Sequence, residues 1–136
     1  GLPLILHSRG SWKHTLEKVR WALSLGCRVM LHCYGGPAED LKKLSEWGVY
    51  TSFGGVPTWR NAGNVRKAAI MAHPSYFLIE TDAPDLCPEV AGVRLPAPNR
   101  PSYLPAIVSE LAKMRQVDSA KLVLQCDENF RRFLEF

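Results

Sequence analysis

The sequence predicts an α/β protein built on a parallel sheet, because strand-like and helix-like segments alternate along its 136 residues. Four short apolar runs of strand character are each followed by a segment in which apolar residues recur at helical spacing. Glycines follow the first two helical segments, at Gly26 and Gly48, where a C-terminal cap favours them. Strand–helix units of about 20 to 30 residues imply parallel strands joined by right-handed crossovers.

The first two units are indicated by apolar spacing and by residues that begin helices. The first strand, 2–7, is a short apolar run, and the helix after it begins at Ser11 and ends at the first of the two glycines. The second strand covers 28–33. Pro37 suits the first turn of the second helix, which ends at the second glycine.

The second half of the chain continues the alternation and then changes character. A third strand, a helix and a fourth strand are predicted over 49–53, 61–72 and 76–80. The segment 81–101 contains five prolines and is predicted to be a long irregular loop, a kind of segment that is often functional. Two more helices are predicted over 102–116 and 119–133.

The composition excludes several classes of protein. With 46% hydrophobic and 22% charged residues the chain is not a disordered one. No apolar run approaches about 18 residues, so no transmembrane helix is predicted. The first residues lack a basic region and a small-residue cleavage site, and the four cysteines form no CxxC pair, so we expect a cytoplasmic protein with reduced thiols. The motifs GxSxG, GxGxxG and Walker A are absent from the sequence.

The charge balance leaves two interpretations open. Seventeen basic residues against thirteen acidic ones give a formal net charge of +4. That excess could favour an anionic partner, most commonly a phosphate, or it could belong to a solvated surface. No run of consecutive basic residues decides between them.

Candidate metal ligands stand at three of the four predicted strand ends. His7 ends the first strand, His32 ends the second, and Asp82 follows the fourth. Ligands bind beyond the carboxyl ends of the strands in a parallel α/β sheet, so we expect these three side chains to share one site. Two imidazoles and a carboxylate suit a divalent metal such as Zn²⁺ or Mn²⁺.

Other residues near the strand ends have more than one possible role. Arg9 could hold a phosphate through its guanidinium fork, and Gly54 and Gly55 would let a substrate approach the backbone closely. We expect Glu80 to lie inside the fourth strand with its side chain pointing away from Asp82, in a structural hydrogen bond or salt bridge.

Four strand-end segments and one loop segment resemble the TatD family of metal-dependent hydrolases. Their order and spacing agree over essentially the whole chain, and Asn129 in the last helix also matches. The loop segment is similar to the family's RNEP stretch, without its Glu. The segments are Leu6-His7-Ser8-Arg9, His32-Cys33-Tyr34, Ser52-Phe53-Gly54-Gly55, Glu80-Thr81-Asp82-Ala83-Pro84 and Asn99-Arg100-Pro101.

The resemblance implies a (β/α)8 TIM barrel of the amidohydrolase kind, with one or two divalent metals (Mg²⁺, Mn²⁺ or Zn²⁺) at its mouth. It implies hydrolysis of phosphodiester bonds in a DNA substrate, often as a 3′–5′ exonuclease. By position, His7 and His32 would bind one metal. Asp82 would bind the other and would be catalytic, orienting or deprotonating the attacking water. The residues expected to face the DNA phosphates are Arg9, Asn99 and Arg100.

The resemblance covers only the second half of the family's barrel, strands five to eight with the C-terminal helices. We therefore expect residues 1–136 to form a single domain, a C-terminal half-barrel. The family's His-x-His pair and a mid-barrel Glu have no counterpart here, so three metal ligands remain and a two-metal mechanism cannot be assembled from one chain. Self-association or a complementary half-barrel is expected to cover the open sheet edges at 2–7 and 76–80.

Two alternatives to a deoxyribonuclease stay open at this point. A half-barrel of this kind could be a non-catalytic module that only binds or assembles with a partner. It could also be a metal-dependent amidohydrolase acting on a small C–N substrate, because fold and ligands would be similar.

Overall fold

One parallel sheet confirms the predicted α/β class. The computed structural model describes residues 2–134, and its main sheet has the strand order β1-β2-β3-β4 with every neighbouring pair parallel. The strands are β1 (Pro3–His7), β2 (Arg28–His32), β3 (Tyr50–Phe53) and β4 (Phe77–Ile79). Because every neighbouring pair is parallel, all four carboxyl ends lie along one edge of the sheet.

Helices follow the strands as the apolar spacing predicts. The second predicted helix is shorter than expected, a 3-10 turn at Ala38–Asp40 followed by a short α-helix. Gly26 and Gly48 both have φ of +73°, which confirms that each ends its helix with a left-handed residue. The helices are α1 (Trp12–Ser24), α2 (Leu41–Glu46), α3 (Gly63–Met71), α4 (Leu104–Arg115) and α5 (Ser119–Leu134).

The proline-rich segment is more ordered than a plain loop. Residues Glu89–Val90 (β5) and Val93–Arg94 (β6) pair as a short antiparallel hairpin. Glu89 accepts a hydrogen bond from the backbone N–H of Arg60 at 2.8 Å, which ties the hairpin to the chain beyond β3. The segment after β4 is therefore anchored beside the carboxyl ends of the strands.

The core lies between the sheet and the helices. Side chains on one face of the sheet, such as Phe53 and Phe77, are buried and stack with ring centroids 5.1 Å apart. Val19 of α1 and Ile107 and Leu111 of α4 are fully buried in the same cluster. Burying this face is the main hydrophobic stabilisation of the fold.

The opposite face of the sheet is only partly covered. Met30, Tyr50 and Leu78 pack against Phe133 of α5 in a small second cluster. At the β1 edge Ile5 stays 57% exposed. In the part of the chain that the structure describes, no helix has both the length and the apolar character needed to cross a bilayer.

Candidate functional site

His7 and His32 stand side by side at the carboxyl ends of neighbouring strands. They are register partners in the β1–β2 ladder, and their ring centroids lie 5.7 Å apart. His7 is exposed on the edge strand, whereas His32 is half-buried. The two histidines thus occupy the predicted edge of the sheet.

Carboxylates contact both ring nitrogens of His32. Nδ1 lies 2.6 Å from Oε2 of Glu80, and Nε2 lies 2.9 Å from Oδ1 of Asp82. A neutral imidazole has a single N–H, whereas an ionised carboxylate only accepts hydrogen bonds. Two arrangements make both contacts favourable. In one, both ring nitrogens of His32 carry a proton. In the other, only one nitrogen carries a proton, and a cation binds the second nitrogen together with the carboxylate beside it.

The expected orientation of Glu80 was wrong. Strand β4 ends at Ile79, and the backbone N–H of Glu80 continues the ladder by donating to the carbonyl of Phe53 at 3.1 Å. Glu80 and Asp82 nevertheless both face His32, because each of them contacts one of its two ring nitrogens. The expected hydrogen-bonding role of Glu80 is confirmed by its contacts with His32 and with Ser52.

Two residues of the site have left-handed backbone conformations. Cys33 has φ of 48° and Asp82 has φ of 59°, values that cost about 1–3 kcal/mol in residues other than glycine. Cys33 is held in place because its backbone N–H donates to Oγ of Ser52 at 3.2 Å. Burial, and after it the carboxylates of Glu80 and Asp82, raises the pKa of the Cys33 thiol to about 12. The thiol is therefore protonated at neutral pH.

The donor set fits part of a divalent-metal site. His32 Nε2 and Asp82 Oδ1 converge at 2.9 Å, which suits two ligands of one cation, and Glu80 holds the other ring nitrogen as carboxylates do for metal-binding histidines. Within residues 2–134 no group of three or more His, Cys, Asp or Glu side chains is arranged to hold a metal ion. The structure brings His32 and Asp82 together and leaves His7 beside them, so a complete site needs further ligands.

The two glycines after β3 are buried against the chain itself. A Cβ on Gly54 would lie 3.4 Å from Cγ of Glu80, and a Cβ on Gly55 would lie 2.2 Å from the carbonyl oxygen of Leu86. The sequence predicted that a substrate would approach the backbone closely at these glycines. In the structure, it is the segment after β4 that lies against them. A contact of either glycine with substrate stays a prediction.

Asn99 is a structural residue of the same loop. It is 3% exposed, and its amide Nδ2 donates to the carbonyls of Thr81 and Asp85, each at 2.6 Å. Its Oδ1 accepts the backbone N–H of Arg100 at 2.8 Å. These bonds fix the loop on both sides of Asp82, so the side chain expected to face phosphate is turned inward.

The two arginines expected near substrate are both exposed. Arg9 lies just past the end of β1, and Arg100 lies just past Asn99. Their exposure leaves both guanidinium groups accessible to an anion, and phosphate contact stays a prediction for each.

Sequence reasoning assigned no role to Ser52. The residue is 1% exposed, and its hydroxyl donates to Oε2 of Glu80 at 2.5 Å. One sequence signal could have identified Ser52. It is a hydroxyl residue near the carboxyl end of a buried strand, and the neighbouring predicted strands end in His32 and Glu80. Its position on the same face of the sheet as these residues follows from strand alternation.

Comparisons with known proteins agree with the geometry. A family model described as TatD related DNase matches residues 1–135. The chain is 32% identical to the uncharacterized metal-dependent hydrolase YcfH of Escherichia coli K12, over 96% of this chain and 48% of that protein. It is 31% identical to the 3′-5′ ssDNA/RNA exonuclease TatD of Erwinia tasmaniensis, over 96% of this chain and 51% of that protein.

A solved structure shares the fold. The crystal structure of YJJV, a TATD homolog from Escherichia coli K12, superposes with a TM-score of 0.86 at 21% identity, over 99% of this chain and 51% of that chain. The chain spans about half the length of the curated relatives it matches. On the match of the family model to nearly every residue, the chain belongs to the TatD related DNase family.

Proposed function

We propose that this chain carries the C-terminal part of the active site of a metal-dependent hydrolase that cleaves phosphodiester bonds in DNA. The observation that carries the proposal is the His32–Asp82 pair, with 2.9 Å between Nε2 and Oδ1 at the carboxyl edge of a parallel sheet. Ligand sites of parallel α/β folds lie at this edge. A similar protein from Erwinia tasmaniensis is named an exonuclease on single-stranded DNA and RNA, which supports a nucleic-acid substrate.

His32 and Asp82 would hold a divalent metal, and His7 would join them. A bound divalent metal lowers the pKa of water and polarises a phosphoryl oxygen. Glu80 keeps Nδ1 of His32 occupied, so Nε2 is the nitrogen available at the site. Asp82 would orient the attacking water, and the exposed Arg9 and Arg100 would bind the phosphates through charge-assisted hydrogen bonds.

End-labelled single-stranded DNA with Mg²⁺ or Mn²⁺ tests this function. We expect metal-dependent degradation by the wild-type chain when it is associated with the half that supplies the remaining ligands. The degradation should be lost in Asp82→Ala and retained in Asp85→Ala, a carboxylate three residues further along the same loop. Degradation that continues unchanged in Asp82→Ala would contradict the proposed role of this residue.

We also propose that the chain is one half of a (β/α)8 barrel and pairs with a second half. The four-stranded sheet, the 57% exposure of Ile5 on the β1 edge and the match to about half of each relative support this. A complementary half-barrel or a second copy of the chain would cover the open face and edges. Sedimentation should show association. A monomer that unfolds cooperatively at all concentrations would contradict it.

A non-catalytic binding module is the second candidate. It is favoured because, among the residues that the structure describes, no three metal-ligating side chains converge. In that case His7→Ala, His32→Ala and Asp82→Ala would change neither metal content nor DNA degradation. The hydrolase proposal expects both to fall.

A further inference from the structure

A chain of hydrogen bonds crosses three strands of the sheet at the candidate site. The backbone N–H of Cys33, just after β2, donates to Oγ of Ser52 in β3 at 3.2 Å. Ser52 Oγ lies 2.5 Å from Oε2 of Glu80, which follows β4, and the same oxygen lies 2.6 Å from Nδ1 of His32. The chain ends at Asp82, 2.9 Å from Nε2 of His32.

The backbone N–H of Cys33 determines which group donates and which accepts in each of these hydrogen bonds. A backbone N–H can only donate, so Oγ of Ser52 accepts from Cys33 and its own proton is directed to Glu80. An ionised carboxylate can only accept, so Nδ1 of His32 must be the donor in its bond with Glu80. The nitrogen that His32 presents to Asp82 is therefore Nε2.

Glu80 depends on Ser52 for its position. Its side chain is only 15% exposed, and both hydrogen bonds go to Oε2. Its other oxygen, Oε1, is buried without a hydrogen-bond partner within the described range 2–134. Without the Ser52 hydroxyl, His32 would be the sole partner of this half-buried carboxylate.

We propose that Ser52 is a positioning residue: its hydroxyl fixes Glu80 against Nδ1 of His32, so that Nε2 faces Asp82. Mutation of a group that hydrogen-bonds to the second nitrogen of a metal-binding histidine typically lowers metal affinity or activity 10–100-fold. Ser52 acts one step further out, through Glu80. The part of this inference that concerns metal affinity rests on the proposed function, whereas the orientation of His32 does not.

Nitrogen-15 NMR of the metal-free chain at one fixed pH tests the orientation. We expect a hydrogen-bonded Nδ1–H on His32 in the wild type, and loss of that signal in both Ser52→Ala and Glu80→Ala. Ser52→Thr keeps a hydroxyl and borders a cavity of about 370 Å³ that can take the added methyl, so it should restore the signal. The matched control is Thr51→Val, which removes a hydroxyl from a buried neighbour on the opposite face of β3.

Titration with Mn²⁺ separates this inference from the proposed function. Ser52→Ala should weaken Mn²⁺ binding about 10-fold, whereas Thr51→Val should leave it unchanged. A His32 signal that is the same in Ser52→Ala and in the wild type would overturn the positioning role, whatever the Mn²⁺ result. Loss of the signal in a chain that binds no Mn²⁺ would support the positioning role and contradict the metal site.

Discussion

Gly55 is the point at which the loop after β4 crosses the end of β3, so Gly55→Ala should loosen the loop that carries Asp82. A Cβ at Gly55 would lie 2.2 Å from the carbonyl oxygen of Leu86 and 3.0 Å from the backbone nitrogen of Pro88. Both neighbours are backbone atoms, so the loop itself must move by about 1 Å to restore ordinary contact distances.

The cost can be worked out from this contact. Gly55 has φ of −71° and ψ of −27°, which alanine adopts readily, so the change tests packing and not backbone strain. Overpacking of this kind costs about 1–3 kcal/mol. The lower chain entropy of unfolded alanine returns about 0.4–1 kcal/mol. The net loss is centred at about 1.3 kcal/mol, which should lower Tm by about 4–5 °C in a chain of this size.

Gly54→Ala is the matched control. Its Cβ would lie 3.4 Å from Cγ of Glu80, an ordinary contact, so its stability should stay within about 1 kcal/mol of the wild type. Circular dichroism melts measure the difference. In Gly55→Ala, the backbone amide of Glu89 should also exchange its hydrogen faster than in the wild type, because it donates to Oγ1 of Thr58 at 2.7 Å beside the contact between Gly55 and the loop. Equal melting temperatures for Gly54→Ala and Gly55→Ala would refute the packing argument.

Three further predictions concern the scaffold. Asn129 is fully buried, and its amide donates to the carbonyls of Pro74, just before β4, and of Phe77, the first residue of β4, at 2.7 Å each. Asn129→Ala should therefore cost about 2–4 kcal/mol in urea unfolding, against under about 0.5 kcal/mol for the exposed Asp127→Ala. Gln116 ends α4 with φ of 55°, so Gln116→Gly should raise stability by about 0.5–1 kcal/mol, and a lower Tm would contradict this. The hydrogen bond from Lys43 is the main reason why the pKa of the Asp40 carboxyl lies below its ordinary 3.8. The ionised Asp40 carboxylate therefore stabilises the fold above pH 3.8, and this stabilisation is lost as pH falls below that value. Urea midpoints between pH 5 and pH 2 should therefore fall less in Asp40→Asn than in the wild type.

Local sequence patterns were sufficient for the strands, most helices and the strand-end histidines. Apolar runs and helical spacing act within a few residues, and Gly26 and Gly48 have conformations that L-residues rarely adopt. His7 and His32 are register partners because equal offsets from the start of neighbouring parallel strands bring them together. These features needed no knowledge of distant contacts.

Contacts between distant segments could not be predicted in the same way. Asn99 is buried because its amide reaches Thr81, 18 residues earlier, and the hairpin at Glu89 is tied to Arg60, 29 residues earlier. No local pattern encodes such pairings. The orientation of Glu80 relative to Asp82 also depends on the backbone at Asp82, whose φ of 59° lies outside the extended region in which side chains alternate.

Binding of Mn²⁺ by the chain tests the central claim most directly, namely that His32 and Asp82 form the core of a divalent-metal site. The titration compares the wild type with Asp82→Ala and with Asp85→Ala, which removes a carboxylate from the same loop. We predict that Asp82→Ala weakens Mn²⁺ binding at least about 10-fold and that Asp85→Ala leaves it unchanged. Equal affinity in the wild type and Asp82→Ala, or no Mn²⁺ binding by the wild type, would contradict the claim.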